Sequence, residues 1–347
     1  MVLNDTGGGG VAPIVVWGAG AMGGSIGGSL AKEGIDVLFV DREEEHVRTM
    51  NRAGLRITGP VEEFTVQVRA AIPQEVEGRF PLFLLCVKSQ HTVYALDQLV
   101  PYLAGDGVVV SIQNGLCEHE IAQRVGPGRT MGAFVNFGAD YMEPGVVQRG
   151  NRGATVVGEL DGALTERARG VHELLRLFEP DAVLTDNIFG YLWGKLAYAS
   201  LLFATALTND SIADVLAEES YRPKLIALAR EAVAVATAEG VGLESFDGFN
   251  PEAFRPGGAS HLASASLDDL VRFNRASAKT HSGIWRDLAV RKRKTEVDAQ
   301  LGWIVRVGKK VGVPTPLTEA VIHQIHEIES GVRPLDRENM GELGGTG

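Results

Sequence analysis

The stretch Ile14-Val-Val-Trp-Gly-Ala-Gly-Ala-Met-Gly23 decides which fold this sequence predicts. A short apolar run is followed at once by three glycines in the spacing G-x-G-x-x-G, and then by a helical pattern. The first glycine permits a tight turn, the second lets backbone approach a pyrophosphate, and the third lets helix and strand pack closely. We therefore expect a dinucleotide-binding loop made of Gly18, Ala19, Gly20, Ala21, Met22 and Gly23.

Strand and helix patterns alternate through the rest of the first half. Apolar, β-branched runs predict strands at 14–17, 37–40, 83–87, 108–112, 130–134 and within 146–157. Amphipathic patterns predict helices at 22–33, 43–53, 94–103 and 118–124. This alternation indicates a parallel sheet with helices on both faces.

After about Asp186 the strand signals vanish. Helical patterns cover 188–207, 212–239, 267–279, 283–311 and 316–330. The predicted fold class is therefore α/β, with a doubly wound Rossmann-type domain at 11–186 and an all-helical domain at 187–335. The Pro-, Gly- and Ser-rich segment 246–266 is expected to be a loop or a lid. The glycine-rich ends, 1–10 and 336–347, are expected to be disordered tails.

Composition excludes several classes of protein. The 347 residues carry 33 Lys and Arg against 44 Asp and Glu, and this net charge of −11 argues against nucleic acid or an anionic membrane as partner. The 26 uncharged residues from Thr6 to Ala31 include ten glycines and Pro13, so they lack the apolar surface of a membrane span. Two cysteines, Cys86 and Cys117, without a CxxC motif favour a reducing cytoplasmic compartment, and no metal site is predicted.

Asp41 bears on the choice of cofactor. It ends the second predicted strand 23 residues after Gly18, where a carboxylate binds both ribose hydroxyls and repels a 2′-phosphate. This favours NAD(H) over NADP(H). Arg42 could stack on adenine, or it could compensate for Asp41 and admit NADP(H), so that alternative stays open.

Polar residues also follow two later strands. Lys88 comes after the run at 83–87, and Gln113 and Asn114 come after the run at 108–112. Ligands of open parallel sheets bind at the carboxyl ends of strands, so these residues are expected to face the cofactor, although Asn-Gly is also a turn signal.

The helical half contains charges that are costly to bury. Lys195 is the only charge in the apolar stretch 188–207, so it needs an anionic partner or a water-filled cleft, unless it reaches the surface at a frayed helix end. Glu296 lies in an amphipathic segment, so it is either a site residue or an ordinary surface glutamate. His281 and Ser282 precede the same predicted helix and could be helix caps instead of site residues.

Taken together, these residues resemble the ketopantoate reductase family over about 14–330. The matching pieces are Gly-Ala-Gly-Ala-Met-Gly at 18–23, Cys-Val-Lys-Ser-Gln at 86–90, Gln-Asn-Gly at 113–115, Trp-Gly-Lys-Leu at 193–196, Thr-Glu-Val-Asp at 295–298 and Gly-Val-Pro-Thr-Pro at 312–316. The resemblance implies that Lys195 protonates a carbonyl oxygen as hydride arrives and that Glu296 supports this chemistry. It also implies that Lys88 and Asn114 line the nicotinamide ribose and that the protein is a homodimer. A serine near the start of the helix that carries the glutamate would hold substrate, and Ser282 lies near that position.

Two departures from the family pattern concern the substrate. Ketopantoate reductases place asparagines four and eight residues after the lysine, where this chain has Ala199 and Phe203, unless a two-residue shift brings in Thr205. Ala199 and Phe203 would form an apolar wall. Together with Asp41, they resemble the NAD-dependent D-2-hydroxy acid dehydrogenases of the family.

The sequence therefore predicts an NAD(H)-preferring oxidoreductase that interconverts a small-molecule 2-oxo acid and its 2-hydroxy acid. Its substrate would be bulkier or more apolar than ketopantoate, with the substrate carboxylate bound by Ser282, His281 or backbone donors. Two alternatives stay open. One is a 2-dehydropantoate 2-reductase of coenzyme A biosynthesis, and the other is a dinucleotide-binding sensor without turnover.

Overall fold

The computed structural model describes residues 12–276 and 280–344. The chain divides into two compact units, of which the first ends at Ile188 and the second begins at Phe189, two residues from the predicted boundary. The predicted tail at 1–10 lies outside the described residues. The first unit contains β1 (Ile14–Trp17), α1 (Ala21–Lys32), β2 (Val37–Val40), α2 (Glu44–Ala53), β3 (Leu55–Thr58), β4 (Phe64–Val66), β5 (Arg69–Ala71), β6 (Phe80–Leu85), α3 (Thr92–Leu99), β7 (Leu103–Ser111), α4 (Cys117–Val125), β8 (Thr130–Val135), β9 (Ala139–Glu143), β10 (Val146–Arg149), β11 (Thr155–Glu159), α5 (Glu166–Phe178) and β12 (Val183–Leu184).

The main sheet has eight strands in the order β12-β11-β8-β7-β6-β1-β2-β5. All neighbours are parallel except β8 and β11. Strand β1 lies between β2 and β6, with Val15 in register with Leu38 and Phe83. Its four residues are all buried, which explains why it is a continuous apolar run instead of an alternating one. The predicted α/β class is confirmed.

A second sheet, which the sequence did not predict, has the order β4-β3-β10-β9. Helix α1 packs against both sheets. A Cβ added at Gly27 would lie 2.6 Å from the Phe39 ring of the main sheet, and one added at Gly24 would lie 2.9 Å from Val147 of the second. A Cβ atom cannot lie this close to another heavy atom. Gly24 and Gly27, which lie in α1 beyond the loop motif, therefore allow one helix to pack closely against two sheets.

The second unit is helical, as expected. Its helices are α6 (Ile188–Thr205), α7 (Ile212–Ala217), α8 (Arg222–Ala238), α9 (Ser260–Ala276), α10 (Gly283–Trp285), α11 (Val297–Val311), α12 (Pro316–Glu329) and α13 (Glu338–Glu342). Helix α8 packs against α9, α11 and α12.

Two of the long helices predicted from the sequence are wrong, because the structure divides each of them into shorter elements. The first, 212–239, ends at Ala217 and restarts at Arg222, where Pro223 is suited to the first turn of a new helix. The second, 283–311, passes through a π turn at Arg286–Val290 and a non-helical stretch before α11. In that stretch Arg291 and Arg293 both donate to Asp287 Oδ1, which folds the chain back on itself. The end of the helix predicted at 267–279 lies outside the described residues from 277 on.

The prediction of a disordered tail from residue 336 is wrong as far as residue 344. Helix α13 forms there, Met340 is fully buried, and Asn339 Nδ2 donates to the carbonyl of Leu207 at 2.8 Å. A buried methionine and a buried amide hold this segment on the helical unit. Residues 345–347 lie outside the described range.

Within the described ranges, no helix combines the length and the apolar character needed to span a membrane. The same ranges contain no cluster of three or more His, Cys, Asp or Glu side chains that could hold a metal ion. Both cysteines are free thiols. Burial raises the pKa of Cys117 to about 12 and also raises that of Cys86, so neither thiol is a nucleophile near neutral pH.

Candidate dinucleotide site and catalytic helix

The loop between β1 and α1 has the geometry that its glycine spacing predicts. Gly18 has φ +98°, and an added Cβ would lie 2.9 Å from Val87 N. A Cβ at Gly23 would lie 2.0 Å from the carbonyl oxygen of Gly18, which shows the close packing of helix and strand. A Cβ at Gly20 would have no protein atom within 4 Å, so this backbone faces open space before the first turn of α1. The loop and the helix N-terminus together fit the pyrophosphate of a dinucleotide.

Asp41 lies directly after β2 and holds the loop. Its Oδ2 accepts a hydrogen bond from Ala19 N at 2.8 Å, and its Oδ1 accepts one from Glu43 N at 3.0 Å. These two bonds orient the carboxylate at the end of the strand, where a cofactor ribose binds in such folds. The neighbouring Arg42 is exposed and forms a surface ion pair with Glu43 at 3.3 Å.

Further carboxylates surround Asp41. Burial raises the pKa of the Tyr141 hydroxyl, and the negative charges of Asp41, Glu43, Glu45 and Glu143 raise it further. All four carboxylates are therefore close enough to act on one phenol. Asp41, Glu43 and Glu45 follow β2, and Glu143 ends β9, so these carboxylates come from both sheets.

Sequence reasoning missed His46 in α2. The side chain is buried, with Nε2 2.9 Å from the carbonyl oxygen of Ala19 and Nδ1 2.9 Å from Gly145 N. No motif marks this residue, because a lone histidine in an amphipathic helix gives no signal of what it contacts.

The loops after β6 and β7 are tied together. Gln113 is buried, and its Nε2 donates to the carbonyl of Val87 at 3.0 Å and to Thr92 Oγ1 at 2.8 Å. Ser89 Oγ donates to the carbonyl of Asn114 at 2.6 Å. The structure therefore gives the Gln113 side chain scaffolding contacts, and its predicted contact with the cofactor stays a prediction.

Lys88 and Asn114 lie in these loops. Lys88 is half-buried and precedes the short 3₁₀ turn Ser89–His91. Asn114 is half-buried and follows Gln113 beyond the end of β7. Both therefore lie at the carboxyl ends of parallel strands, where sequence reasoning expected them.

Lys195 lies in the middle of α6 and is half-buried. Tyr191, four residues earlier, and Leu202, seven residues later, are also half-buried, and this spacing places all three on one face of the helix. Ala199 continues that face and is buried. Phe203 is 0% exposed, so its side chain offers no surface to a ligand. The burial of Phe203 contradicts its predicted place in an apolar wall, and the contribution of Ala199 to such a wall stays a prediction.

The segment predicted as a loop or lid, 246–266, is only partly a loop: its first residues pack on α6, and residues from Ser260 on belong to α9. The backbone groups of Phe246 and Phe249 form two hydrogen bonds with each other. The two residues between them, Asp247 and Gly248, have φ +41° and +80°. This is the Asp-Gly pattern of a tight hairpin turn, a signal that the sequence contained. The two phenylalanines pack on Tyr198 of α6, with ring centroids 6.1 Å and 5.5 Å from the tyrosine ring.

The chain just before this segment crosses α6 at Gly194. An added Cβ would lie 2.8 Å from the carbonyl oxygen of Glu244, and Glu244 N donates to the carbonyl of Gly190 at 3.2 Å. Burial and the charge of Glu244 raise the pKa of Tyr191. The residue beside Lys195 is therefore a glycine because a backbone crosses the helix there.

The remaining predicted site residues lie before α10 and α11. Ser282 Oγ accepts from Trp285 N at 3.1 Å and caps α10, and His281 stacks on the Trp285 ring at 4.1 Å. Both therefore have structural contacts, which favours the capping alternative for Ser282 over substrate binding. Glu296 is half-buried at the N-cap position of α11. The preceding Thr295 is fixed by bonds from its N and Oγ1 to Glu329.

Family models match both units of the chain. The model described as "Ketopantoate reductase PanE/ApbA" matches residues 14–162, and the model of its C-terminal region matches residues 187–329. A 2-dehydropantoate 2-reductase of Mesorhizobium japonicum is 26% identical over 338 residues, covering 91% of this chain and 97% of the relative. One of Pyrococcus horikoshii is 26% identical over 306 residues, covering 88% and 93%.

Solved structures show the same fold. A D-mandelate dehydrogenase in complex with NADH and anilino(oxo)acetate superposes with a TM-score of 0.80 at 22% identity, covering 92% of this chain and 99% of the other. A ketopantoate reductase from Ralstonia eutropha JMP134 gives a TM-score of 0.77 at 27% identity, with the same coverage. The chain therefore belongs to the ketopantoate reductase PanE/ApbA family, whose members are oxidoreductases that act on CH–OH groups.

Proposed function

We propose that this protein is an NAD(H)-dependent oxidoreductase that interconverts a bulky apolar 2-oxo acid and the corresponding 2-hydroxy acid. A pyridine nucleotide and a substrate oxidised at a CH–OH group follow from the family. The preference for NAD(H) and the apolar character of the substrate are inferred from this chain's own residues.

The carboxylates at the end of β2 carry the cofactor assignment. Asp41 accepts from the N–H of Ala19 in the loop and from that of Glu43, and Glu43, Glu45 and Glu143 add negative charge around Tyr141. A 2′-phosphate would add roughly two further negative charges to this region. Arg42, exposed and paired with Glu43, offsets little of that repulsion because surface ion pairs are weak. A D-mandelate dehydrogenase of the same fold binds NADH, which agrees with this assignment.

Lys195 is proposed as the proton donor. A bound nicotinamide supplies hydride to the substrate carbonyl carbon. The ammonium group of Lys195 would donate a proton to the carbonyl oxygen, and its charge would stabilise the oxygen as negative charge develops there. The half-buried position on an otherwise apolar helix strengthens that electrostatic effect. Glu296 is proposed to support this chemistry, and Lys88 and Asn114 to contact the nicotinamide ribose.

The substrate side of α6 favours an apolar acid. Ala199 and Leu202 continue the face of Lys195 without an amide, and the Ser200 hydroxyl is buried and donates to the carbonyl of Ala197. A hydroxylated substrate such as ketopantoate would find fewer hydrogen-bond partners on this helix. Reduction of ketopantoate remains the second candidate function because the curated relatives carry that activity in their names. The predicted homodimer and cytoplasmic location stay predictions.

The test is steady-state oxidation of NADH and of NADPH, each with phenylglyoxylate and with ketopantoate. We expect the highest kcat/KM for NADH with phenylglyoxylate. Preferred oxidation of NADPH with ketopantoate would contradict both inferred preferences and support the second candidate. No turnover with a broad panel of 2-oxo acids, together with tight nucleotide binding, would support a sensor instead.

A further inference from the structure

The residue between the first two glycines of the loop is held at both of its backbone polar groups. Ala19 N donates to Asp41 Oδ2 at 2.8 Å, and the carbonyl oxygen of Ala19 lies 2.9 Å from His46 Nε2. Asp41 is the acidic residue that the dinucleotide-binding pattern predicts at the end of the second strand. His46 lies in α2, 27 residues from Ala19 in sequence, and is 1% exposed.

The surroundings fix which ring nitrogen of His46 carries the hydrogen. Gly145 N donates to His46 Nδ1 at 2.9 Å, so Nδ1 is the acceptor and Nε2 is the protonated nitrogen. Gly145 is itself fixed, because its carbonyl accepts from Arg56 N at 2.8 Å and an added Cβ would lie 2.6 Å from Thr49. His46 therefore donates from Nε2 to Ala19 and connects the dinucleotide loop to the turn between β9 and β10.

This bond sets the orientation of one peptide group. The carbonyl of Ala19 and the N–H of Gly20 belong to the same trans peptide, in which they point in opposite directions. Holding the carbonyl towards His46 therefore turns the Gly20 N–H to the opposite side. Gly20 is the position where an added Cβ would meet no protein atom, and backbone N–H groups of such loops bind the pyrophosphate.

We propose that His46 is a positioning residue for cofactor binding, which it promotes by holding the Ala19 carbonyl so that the Gly20 N–H is presented to the pyrophosphate. This inference rests on the proposed dinucleotide site. It makes the second sheet, through Gly145, part of the support for that site. The edge of the Tyr141 ring, with its centroid 5.1 Å from that of His46, covers the imidazole.

Two conservative substitutions separate the two bonds of His46. The amide nitrogen of glutamine can replace Nε2 as the donor to Ala19, whereas the amide oxygen of asparagine can replace Nδ1 as the acceptor from Gly145. We expect His46→Asn and His46→Ala to raise the Kd for NADH about tenfold, the upper range for losing one buried hydrogen bond, and His46→Gln to stay within about threefold of wild type. The loss should affect KM for NADH more than kcat.

The measurement is calorimetric titration of NADH into the full-length protein, with thermal unfolding of each variant in parallel. His172 provides a matched control, because its Nε2 also contacts a backbone carbonyl, that of Ala182 at 2.8 Å, and neither residue belongs to the dinucleotide loop. His172→Asn should lower the unfolding temperature more than His172→Gln, and neither should change the Kd for NADH.

Several outcomes would overturn the inference. Unchanged Kd in all His46 variants would do so, and so would equal weakening in the Gln, Asn and Ala variants. Tighter binding by the Asn variant than by the Gln variant would show that the bond to Gly145 matters instead. Repeating the titration with NADPH separates a wrong cofactor preference from a wrong role for His46. If wild type bound neither nucleotide, the proposed function would fail and this inference with it.

Discussion

The two segments expected to act on the cofactor and the substrate both depend on glycine, but for different reasons. In the loop before α1, Gly18 is required by its φ of +98° and Gly23 by the nearby carbonyl oxygen of Gly18, and the order of strand, loop and helix is visible in the sequence. In α6, Gly194 is required by the carbonyl of Glu244, 50 residues further along the chain. A local motif predicts the first arrangement, whereas only the folded structure shows the second.

The two segments also differ in charge. The end of β2 collects four carboxylates around Tyr141, while α6 carries one lysine on a face continued by Ala199 and Leu202. The first arrangement is suited to discriminating between ligands by charge, and the second places a single charge, half-buried, on a mostly apolar helix.

The largest expected effect tests the chemical role of α6. Lys195→Ala should lower kcat by about 10²–10⁴-fold, the range for losing a general acid, while the Kd for NADH stays close to wild type. The control is Lys309→Ala, because Lys309 is an exposed lysine of α11 paired with Glu319. Turnover by Lys195→Ala at the wild-type rate would contradict the catalytic role proposed for α6.

The next effect separates two glycines of one motif. Gly23→Ala places a Cβ 2.0 Å from the carbonyl oxygen of Gly18 and should cost about 3 kcal/mol of unfolding free energy. Gly20→Ala meets no protein atom, so it should leave stability nearly unchanged and weaken NADH binding. Chemical denaturation and NADH titration of both variants measure this. Equal stability of the two variants would contradict the assigned packing.

A smaller effect is expected where the segment from Glu244 crosses α6. Gly194→Ala places a Cβ 2.8 Å from a backbone oxygen and should cost about 1–2 kcal/mol. Gly170→Ala, in the interior of α5 with no atom within 4 Å, should instead stabilise the protein by about 0.5–1 kcal/mol. Denaturation curves of both variants decide the point, and a stabilised Gly194→Ala would show that the segment does not press on the helix.

The smallest effect concerns Glu62, which links Lys32 at the end of α1 to the buried Arg149 of the second sheet. Burial raises the pKa of Glu62, but bonds and charges from Lys32 and Arg149 outweigh it and leave the pKa below its ordinary 4.5. A lowered folded-state pKa stabilises the fold above pH 4.5, and this stabilisation is lost as pH falls through the folded-state value.

Glu62→Gln should therefore cost about 1 kcal/mol at neutral pH and flatten the loss of stability in acid. The adjacent Glu63, exposed and paired with Arg56, is the control, and Glu63→Gln should change neither property. Unfolding free energies measured from neutral to acidic pH test this. Identical acid profiles for wild type and Glu62→Gln would refute the role of Glu62.

Sequence reasoning reached the fold class, the dinucleotide loop and the position of Asp41, because these depend on local spacing. It missed β9, whose last three residues are exposed and show no hydrophobic pattern. It also missed β3, although Leu55 and Ile57 alternate with exposed Arg56, and β4, whose three residues are too few to show a period. The break after the π turn depends on how Asp287 pairs with Arg291 and Arg293, which spacing does not reveal.

The site residues divide in the same way. The cost of burying a charge predicts that Lys195 has an anionic partner or lies in a water-filled cleft, and the structure places it half-buried. The scaffolding contacts of Gln113 and the cap formed by Ser282 depend on which atoms meet in the fold. His46 gave no signal because both of its partners are backbone groups of distant residues.

The most direct test of the central claim is the equilibrium affinity of the wild-type protein for NADH and NADPH, measured side by side with Asp41→Asn. We predict tighter binding of NADH by wild type. In Asp41→Asn the ratio should shift towards NADPH by about tenfold, because one negative charge near the 2′-phosphate is removed. Tighter binding of NADPH by wild type, lost in Arg42→Ala, would show that Arg42 overrides Asp41 and would contradict the assignment of NAD(H).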